Sequence, residues 1–278
     1  MPLPDFLCIG AQKSATTWLA VMLRQHPSIW MPPIKEVHFF DKMAGENREL
    51  RRYRELAEKR KASGIEKGLG PDFAAYLDRV TAFDEVSLAW YQAVFSWPVR
   101  AGVKMGEITP AYLEIPEAGV RYARELLGDI KIMVIVRHPL DRELSNLRME
   151  ASLKIRKHGG PETDADWMQI YDRMVRRRPR GAYSRGIPLW QGAFSEKNFL
   201  AIPFADVRES PQALMTQVED FLGVPNFGDY YKLEKRVHKT KSKLLIPQAV
   251  IDRAAERVAG EDTFLKQHFG EDFYLKTK

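Results

Sequence analysis

The stretch Asp5-Phe-Leu-Cys-Ile-Gly-Ala-Gln-Lys-Ser-Ala-Thr-Thr-Trp-Leu-Ala-Val-Met-Leu-Arg24 decides the fold class. It opens on a short apolar run, Phe6 to Ile9, and passes through a turn of small and hydroxyl residues around Lys13. It then continues with Trp18, Leu19, Met22 and Leu23 at helical spacing. The pattern predicts strand, loop and helix, the opening unit of an α/β fold with a mostly parallel sheet. A loop of this kind presents backbone N–H groups and the positive end of a helix to an anion. Lys13 adds a point charge, and Ser14, Thr16 and Thr17 add hydroxyl donors. The spacing does not match the Walker pattern, because no Gly-Lys-Ser follows Gly10. Two readings stand: a phosphate cradle, or an ordinary strand-to-helix turn capped by Ser14 or Thr16.

The best strand of the chain is Lys131-Ile-Met-Val-Ile-Val136, whose unbroken apolar run suits a parallel strand buried on both faces. Arg137 follows immediately, and a helix begins near Pro139, so Arg137 projects from the strand's carboxyl edge. Ser145 lies about two turns along that helix. A guanidinium at this edge can grip a phosphate with two parallel hydrogen bonds. An arginine here replaces the acidic metal ligand expected of a Mg-dependent NTP hydrolase. Gly102 to Tyr112 reads as another strand broken at Pro110, which puts Glu107, Thr109 and Tyr112 at its carboxyl end. Open α/β sheets bind their ligands at that edge.

Between these strands, the first helix is expected to stop near His26-Pro27. Next comes Ser28-Ile-Trp-Met-Pro-Pro-Ile-Lys-Glu-Val-His-Phe-Phe-Asp41. Glu36, among Ile34, Val37, Phe39 and Phe40, is expected to have a raised pKa if buried, as suits a general base. The bland alternative is an ion pair with Lys35 or a solvated carboxylate. Residues 44 to 70 read as a solvated helix and loop carrying Arg51, Arg52 and Arg54. Residues 72 to 97 read as helical, with Trp90, Tyr91, Phe95 and Trp97 in the core.

Composition sets outer limits. The 278 residues are 45% hydrophobic and 11% aromatic, enough for one large α/β domain spanning 1–278. The charge of +6 from 43 basic and 37 acidic residues suits an anionic ligand and is too mild for a dedicated nucleic-acid binder. The one cysteine, Cys8, sits in the first strand as a small buried hydrophobe and leaves no disulfide framework. No apolar stretch reaches the roughly 18 residues of a membrane span, and residues 1–5 are no secretory leader, so a soluble, cytoplasmic protein is expected.

Four segments in this order carry a resemblance: the Lys13 loop, Lys35-Glu-Val-His-Phe-Phe-Asp41, Gly106-Glu-Ile-Thr-Pro-Ala-Tyr112, and Ile135-Val-Arg-His-Pro-Leu-Asp-Arg-Glu-Leu-Ser145. The chain resembles the sulfotransferase family that uses 3′-phosphoadenosine-5′-phosphosulfate (PAPS). It is most similar to the carbohydrate branch, the heparan sulfate N- and O-sulfotransferases and their bacterial relatives. The likeness is weakest over 44–100 and 150–178. It implies a P-loop-like 5′-phosphosulfate loop formed by Gln12, Lys13, Ser14, Ala15, Thr16, Thr17 and Trp18, with Arg137 and Ser145 on the 3′-phosphate. It further implies Glu36 as catalytic base and His38 as second choice, Lys13 as stabiliser of the departing oxygen, and no metal. The product would be adenosine 3′,5′-bisphosphate, and the acceptor a hydroxyl or amine, with carbohydrate preferred.

In the second half, Arg180-Gly-Ala-Tyr183 resembles the family's Arg-Gly-x-Tyr segment, with Tyr183 either touching the nucleotide or packed in the core. Val237-His-Lys-Thr-Lys-Ser-Lys243 stands where relatives carry a basic loop over the donor, which implies Lys239 and Lys241 as contacts. It lacks the Gly-Arg pair and flanking cysteines usual there. Residues 247–270 read as a pair of amphipathic helices. The cluster Arg173, Arg176, Arg177, Arg178 and Arg180 either lines a cleft for an anionic glycan or lipid headgroup, or is a solvated loop. Two competing functions share these features: a small-molecule kinase using ATP and Mg²⁺, and a non-catalytic nucleotide-binding protein.

Overall fold

The computed structural model describes residues 2–41, 47–66, 70–158, 160–161, 163–177, 181–234 and 244–278. Five strands form one sheet: β1 (Phe6–Gly10), β2 (Ile29–Trp30), β3 (Lys104–Ile108), β4 (Lys131–Val136) and β5 (Phe199–Pro203). Their order is β2-β3-β1-β4-β5, and every neighbouring pair is parallel. All five carboxyl ends therefore open onto one edge, with β1 in the middle.

The helices are α1 (Thr16–Leu23), α2 (Asn47–Glu66), α3 (Gly70–Thr81), α4 (Leu88–Val94), α5 (Glu117–Leu127), α6 (Pro139–His158), α7 (Asp164–Arg177), α8 (Tyr183–Ala193), α9 (Asp206–Glu209), α10 (Pro211–Leu222), α11 (Gln248–Phe269) and α12 (Glu271–Leu275). Successive residues of a strand face opposite sides, and the two cores follow from that alternation. Leu7, Ile9, Ile132, Val134 and Val136 enter a core with Trp90, Tyr112, Ile187 and Trp190. Phe6, Cys8, Met133 and Ile135 enter another with α1 and α10, through Leu19, Leu23, Met215 and Val218. Helices cover both faces, which is what the apolar runs of β1 and β4 require. Each such side chain contributes about 1.5–3 kcal/mol through burial. Gly106 faces Phe6 across the β1–β3 ladder, and a Cβ there would stand 2.2 Å from the Phe6 ring, so only glycine fits.

Four expectations need correction. The proline-punctuated segment after the first helix contains an edge strand, β2, too short at two residues to show a period. The helix expected within 44–70 is not merely solvated, because Leu50, Tyr53 and Ala57 of α2 (Asn47–Glu66) are buried. The span 72–97 is two helices, separated where Ser87 caps α4 by accepting from the Trp90 N–H. Residues 248–269 form one long helix rather than a pair, since nothing in Gln248–Phe269 breaks it before Gly270.

Candidate active site

The loop leaving β1 is built as an anion seat. The Ala11 N–H donates to the Ile135 carbonyl of β4 at 3.0 Å, which fixes the loop to the neighbouring strand. Lys13 and Ala15 adopt left-handed backbone (φ 70° and 59°), turning the chain sharply into α1. The N-cap of α1 is Ala15, no side chain caps the helix, and its first turn holds no acidic residue. The turn capped by Ser14 or Thr16 is thus not what forms. The opening N–H groups of α1 and its positive end are left to face the sheet edge.

Arg137, one residue beyond β4, reaches back across this loop. Its Nη1 donates to the Lys13 carbonyl at 3.0 Å, and its guanidinium carbon lies 4.6 Å over the Phe204 ring, just past β5. The Lys13 Nζ lies 3.7 Å from Met149 Sδ of α6, a weak acceptor. Burial pulls the Lys13 pKa down, and Arg137 adds to the effect. Burial also lowers that of Arg137, with Arg208 and Arg148 pushing the same way against Asp141 and Tyr183. Two half-buried cations that repel each other form a site whose deficit an anion would fill.

Tyr183 is fully buried. Its hydroxyl donates to the Arg137 carbonyl at 3.0 Å and accepts from the Arg137 N–H at 3.2 Å. Its place is therefore in the core, holding the backbone of Arg137. Ser14 is also fully buried, close to that hydroxyl. Trp18 is buried as well, and its indole donates to the Leu233 carbonyl at 2.9 Å. Trp18 thus packs in the core from the first turn of α1. Gln12 and Thr17 are half-buried, Thr16 is buried, and Ser145 is half-buried on α6. Lys239 and Lys241 lie outside the described residues, as do Arg178 and Arg180. Arg173 and Arg176 are exposed on α7.

A second cluster stands on the β3 side of the same edge. Glu36 Oε1 accepts from Lys35 Nζ at 2.8 Å, and its Oε2 lies 3.5 Å from His38 Nε2. His38 Nδ1 lies 2.9 Å from Asp41. Glu36 and His38 are both left-handed (φ 67° and 60°), and this backbone lets their side chains meet. Burial works against charge on Glu36, but hydrogen bonds and charge from His38 and Lys35 outweigh it and hold the carboxyl well below its usual range. This reverses the raised pKa expected from its apolar neighbours. His38 is pushed up to about 9, because Asp41 and Glu36 outweigh its burial.

The segment is fastened to β3 through hydroxyls. The Val37 N–H donates to Thr109 Oγ1 at 3.0 Å, and the Phe39 N–H to the Tyr112 hydroxyl at 2.9 Å. Both hydroxyls donate in turn to the buried Glu107, at 2.6 and 3.1 Å. Sequence reasoning put Glu107, Thr109 and Tyr112 at the sheet edge but gave them no work. It also missed Asp41, whose spacing from His38 was a usable signal, and Phe204, which had none.

Comparison with known proteins identifies the family and the fold. The profile described as the Sulfotransferase family matches residues 4–229. The chain is 25% identical over 231 residues to human heparan sulfate glucosamine 3-O-sulfotransferase 6, covering 80% of this chain and 52% of that protein. It is 28% identical over 246 residues to mouse bifunctional heparan sulfate N-deacetylase/N-sulfotransferase 4, covering 82% of this chain and 23% of that protein. The chain thus spans about half the length of the first and about a quarter of the second. Its fold is similar to a sulfotransferase from Alicyclobacillus acidocaldarius, with a TM-score of 0.65, 20% identity and full coverage of both chains. It is also similar to the sulfotransferase domain of the curacin biosynthetic pathway, with a TM-score of 0.56, 15% identity, and 94% and 98% coverage.

Proposed function

Because the chain belongs to the sulfotransferase family, we propose that it moves a sulfuryl group from PAPS to a hydroxyl or amine, with Glu36 as base. The observation that carries this reading is the pairing, on one sheet edge, of an anion seat with a partly exposed carboxylate. The seat is made by the uncapped start of α1, Lys13 and Arg137, and Glu36 is 35% exposed. A donor bearing phosphate at both ends fits these cations. Lys13 and the α1 amides would hold the 5′ end, and Arg137 with Ser145 the 3′-phosphate. PAPS supplies a sulfuryl group already activated on phosphate.

Glu36 is held ionised by Lys35 and His38, so it has a lone pair for the acceptor's proton. His38, protonated up to about pH 9, has none to offer, which favours Glu36 over it. An anionic donor beside Glu36 raises the affinity of its carboxylate for a proton and brings it nearer to a working base. Lys13 lies beside the start of α1, where negative charge grows on the departing oxygen. None of these steps asks for a metal. A kinase would need an acidic metal ligand at this edge, yet Arg137 follows β4 and the carboxylate of Glu107 is taken up by three hydroxyls. The relatives named for heparan sulfate support a carbohydrate acceptor.

The test combines binding and transfer. Adenosine 3′,5′-bisphosphate without metal should raise the melting temperature, and ATP with Mg²⁺ should not. Glu36→Gln should lower transfer by about 10²–10⁴ while bisphosphate binding persists. Stabilisation by ATP and Mg²⁺ alone would replace this function with phosphoryl transfer.

A further inference from the structure

Glu107 is 1% exposed, at the penultimate residue of β3 before the edge. Three hydroxyls converge on its carboxylate: Tyr91 at 2.7 Å, Thr109 at 2.6 Å and Tyr112 at 3.1 Å. The directions of these bonds are fixed by chemistry. A backbone amide can only donate, so Val37 N–H and Phe39 N–H occupy lone pairs of Thr109 Oγ1 and the Tyr112 hydroxyl. Each hydroxyl has one hydrogen left, and it must point to Glu107. Thus Glu107 accepts throughout, and the sense of both relays is fixed from the amides of residues 37 and 39 through the two hydroxyls to its oxygens.

Those two amides alternate with the two left-handed residues, Glu36 and His38. A non-glycine residue keeps that backbone only where its surroundings over-determine it. The clamps on either side of His38 provide this.

We propose that Glu107 is a positioning residue for transfer: through Thr109 and Tyr112 it holds the backbone that aims Glu36 and His38. This rests on the reading of Glu36 as the base. Glu107 touches no reacting atom. A carboxamide in its place would set N–H donors against hydroxyls that already donate. The hydroxyl that faces the N–H would turn its own hydrogen away, and its clamp on the amide would lose the fixed acceptor behind it.

Thr109→Val keeps the shape of the side chain and removes the acceptor, whereas Thr109→Ser restores it. Both are compared with wild type, Glu107→Gln and Glu36→Gln in three measurements. These are the NMR titration of the His38 imidazole, the affinity for adenosine 3′,5′-bisphosphate, and transfer from PAPS to chemically desulfated heparan sulfate. The titration needs no acceptor. Thr109→Val and Glu107→Gln should lower the His38 midpoint from about 9. Both should also cut the transfer rate by about 10–100-fold, the scale of an ångström of misplacement, with bisphosphate affinity within about twofold. Thr109→Ser should return both the midpoint and the rate.

An unchanged midpoint in Thr109→Val, with Glu36→Gln inactive, would overturn the positioning role and leave the base reading standing. Loss of bisphosphate binding together with transfer would also overturn it, since the network would then support the fold at large. Transfer surviving in Glu36→Gln would sink the base reading, while the titration would still report whether Glu107 places His38.

Discussion

The hydroxyl of Tyr183 closes two hydrogen bonds onto the main chain of Arg137, one to its carbonyl and one from its amide, at 3.0 and 3.2 Å. A residue 46 positions downstream thus fixes the first residue past β4, from which the guanidinium reaches back over the Lys13 loop. Tyr183→Phe leaves both backbone groups without a partner, at a cost of about 1–3 kcal/mol. The variant should melt lower and bind adenosine 3′,5′-bisphosphate more weakly. Equal bisphosphate affinity by calorimetry would show that Arg137 holds its place unaided.

Arg137 itself should carry the response to ligand. At 100 times its dissociation constant, a ligand adds roughly 2.7 kcal/mol to stability. Arg137→Ala should abolish most of the thermal shift given by the bisphosphate. Arg137→Lys should recover little, because an ammonium has no planar fork and stacks poorly on Phe204. A full shift in the lysine variant would reduce the role of Arg137 to charge alone.

The ion pairs of the base cluster predict a pH dependence whose sign follows from the shifts. His38 binds its proton more tightly when folded (about 9) than at its ordinary value of 6.5. Its contribution, on the order of 3 kcal/mol, is complete below about pH 6.5 and is lost as pH rises through about 9. Glu36 is shifted down, so its contribution is present above its ordinary value of 4.5 and fades as pH falls toward its folded value. Between pH 7 and 9.5 the melting temperature of wild type should therefore fall further than that of His38→Gln. Parallel curves for the two proteins would refute the assignment.

Helix α8 offers a packing test with its own control. A Cβ on Gly186 would stand 2.1 Å from the Leu113 carbonyl, whereas a Cβ on Gly192 meets nothing within 4 Å. Gly186→Ala should lose about 1–3 kcal/mol or more through overpacking. Gly192→Ala should be neutral or gain about 0.5–1 kcal/mol. Thermal melts should place Gly186→Ala clearly below wild type and Gly192→Ala at or above it.

What the sequence disclosed and what it hid have different physical origins. The strands β1 and β4 were legible because a strand covered on both faces needs an unbroken apolar run, and both runs are local. The Lys13 loop and Arg137 were legible because their place at strand ends follows from the strands themselves. The two residues of β2 carry no period, so that strand is specified by its pairing with β3 and not by its own pattern. Glu36 showed its apolar neighbours in sequence, but the groups that set its pKa act through side-chain geometry, which left-handed backbone at residues 36 and 38 creates. The work of Glu107 was hidden for a related reason: its partners come from α4, from β3's own end and from the turn beyond, and they converge only in the fold.

The left-handed backbone of Glu36 and His38 sets the fold's preference against that of the site. Glycine would adopt φ values of 67° and 60° without the penalty that a Cβ incurs there. That leaning, worth up to about 1 kcal/mol at each position, is opposed by the ion pairs the two side chains make with Lys35, with each other and with Asp41, all of which glycine would give up. The same side chains thus offset the strain of the backbone that presents them. A relative that keeps the β3 clamps but carries glycine at both positions should keep the loop's shape, lose these ion pairs and be silent in transfer.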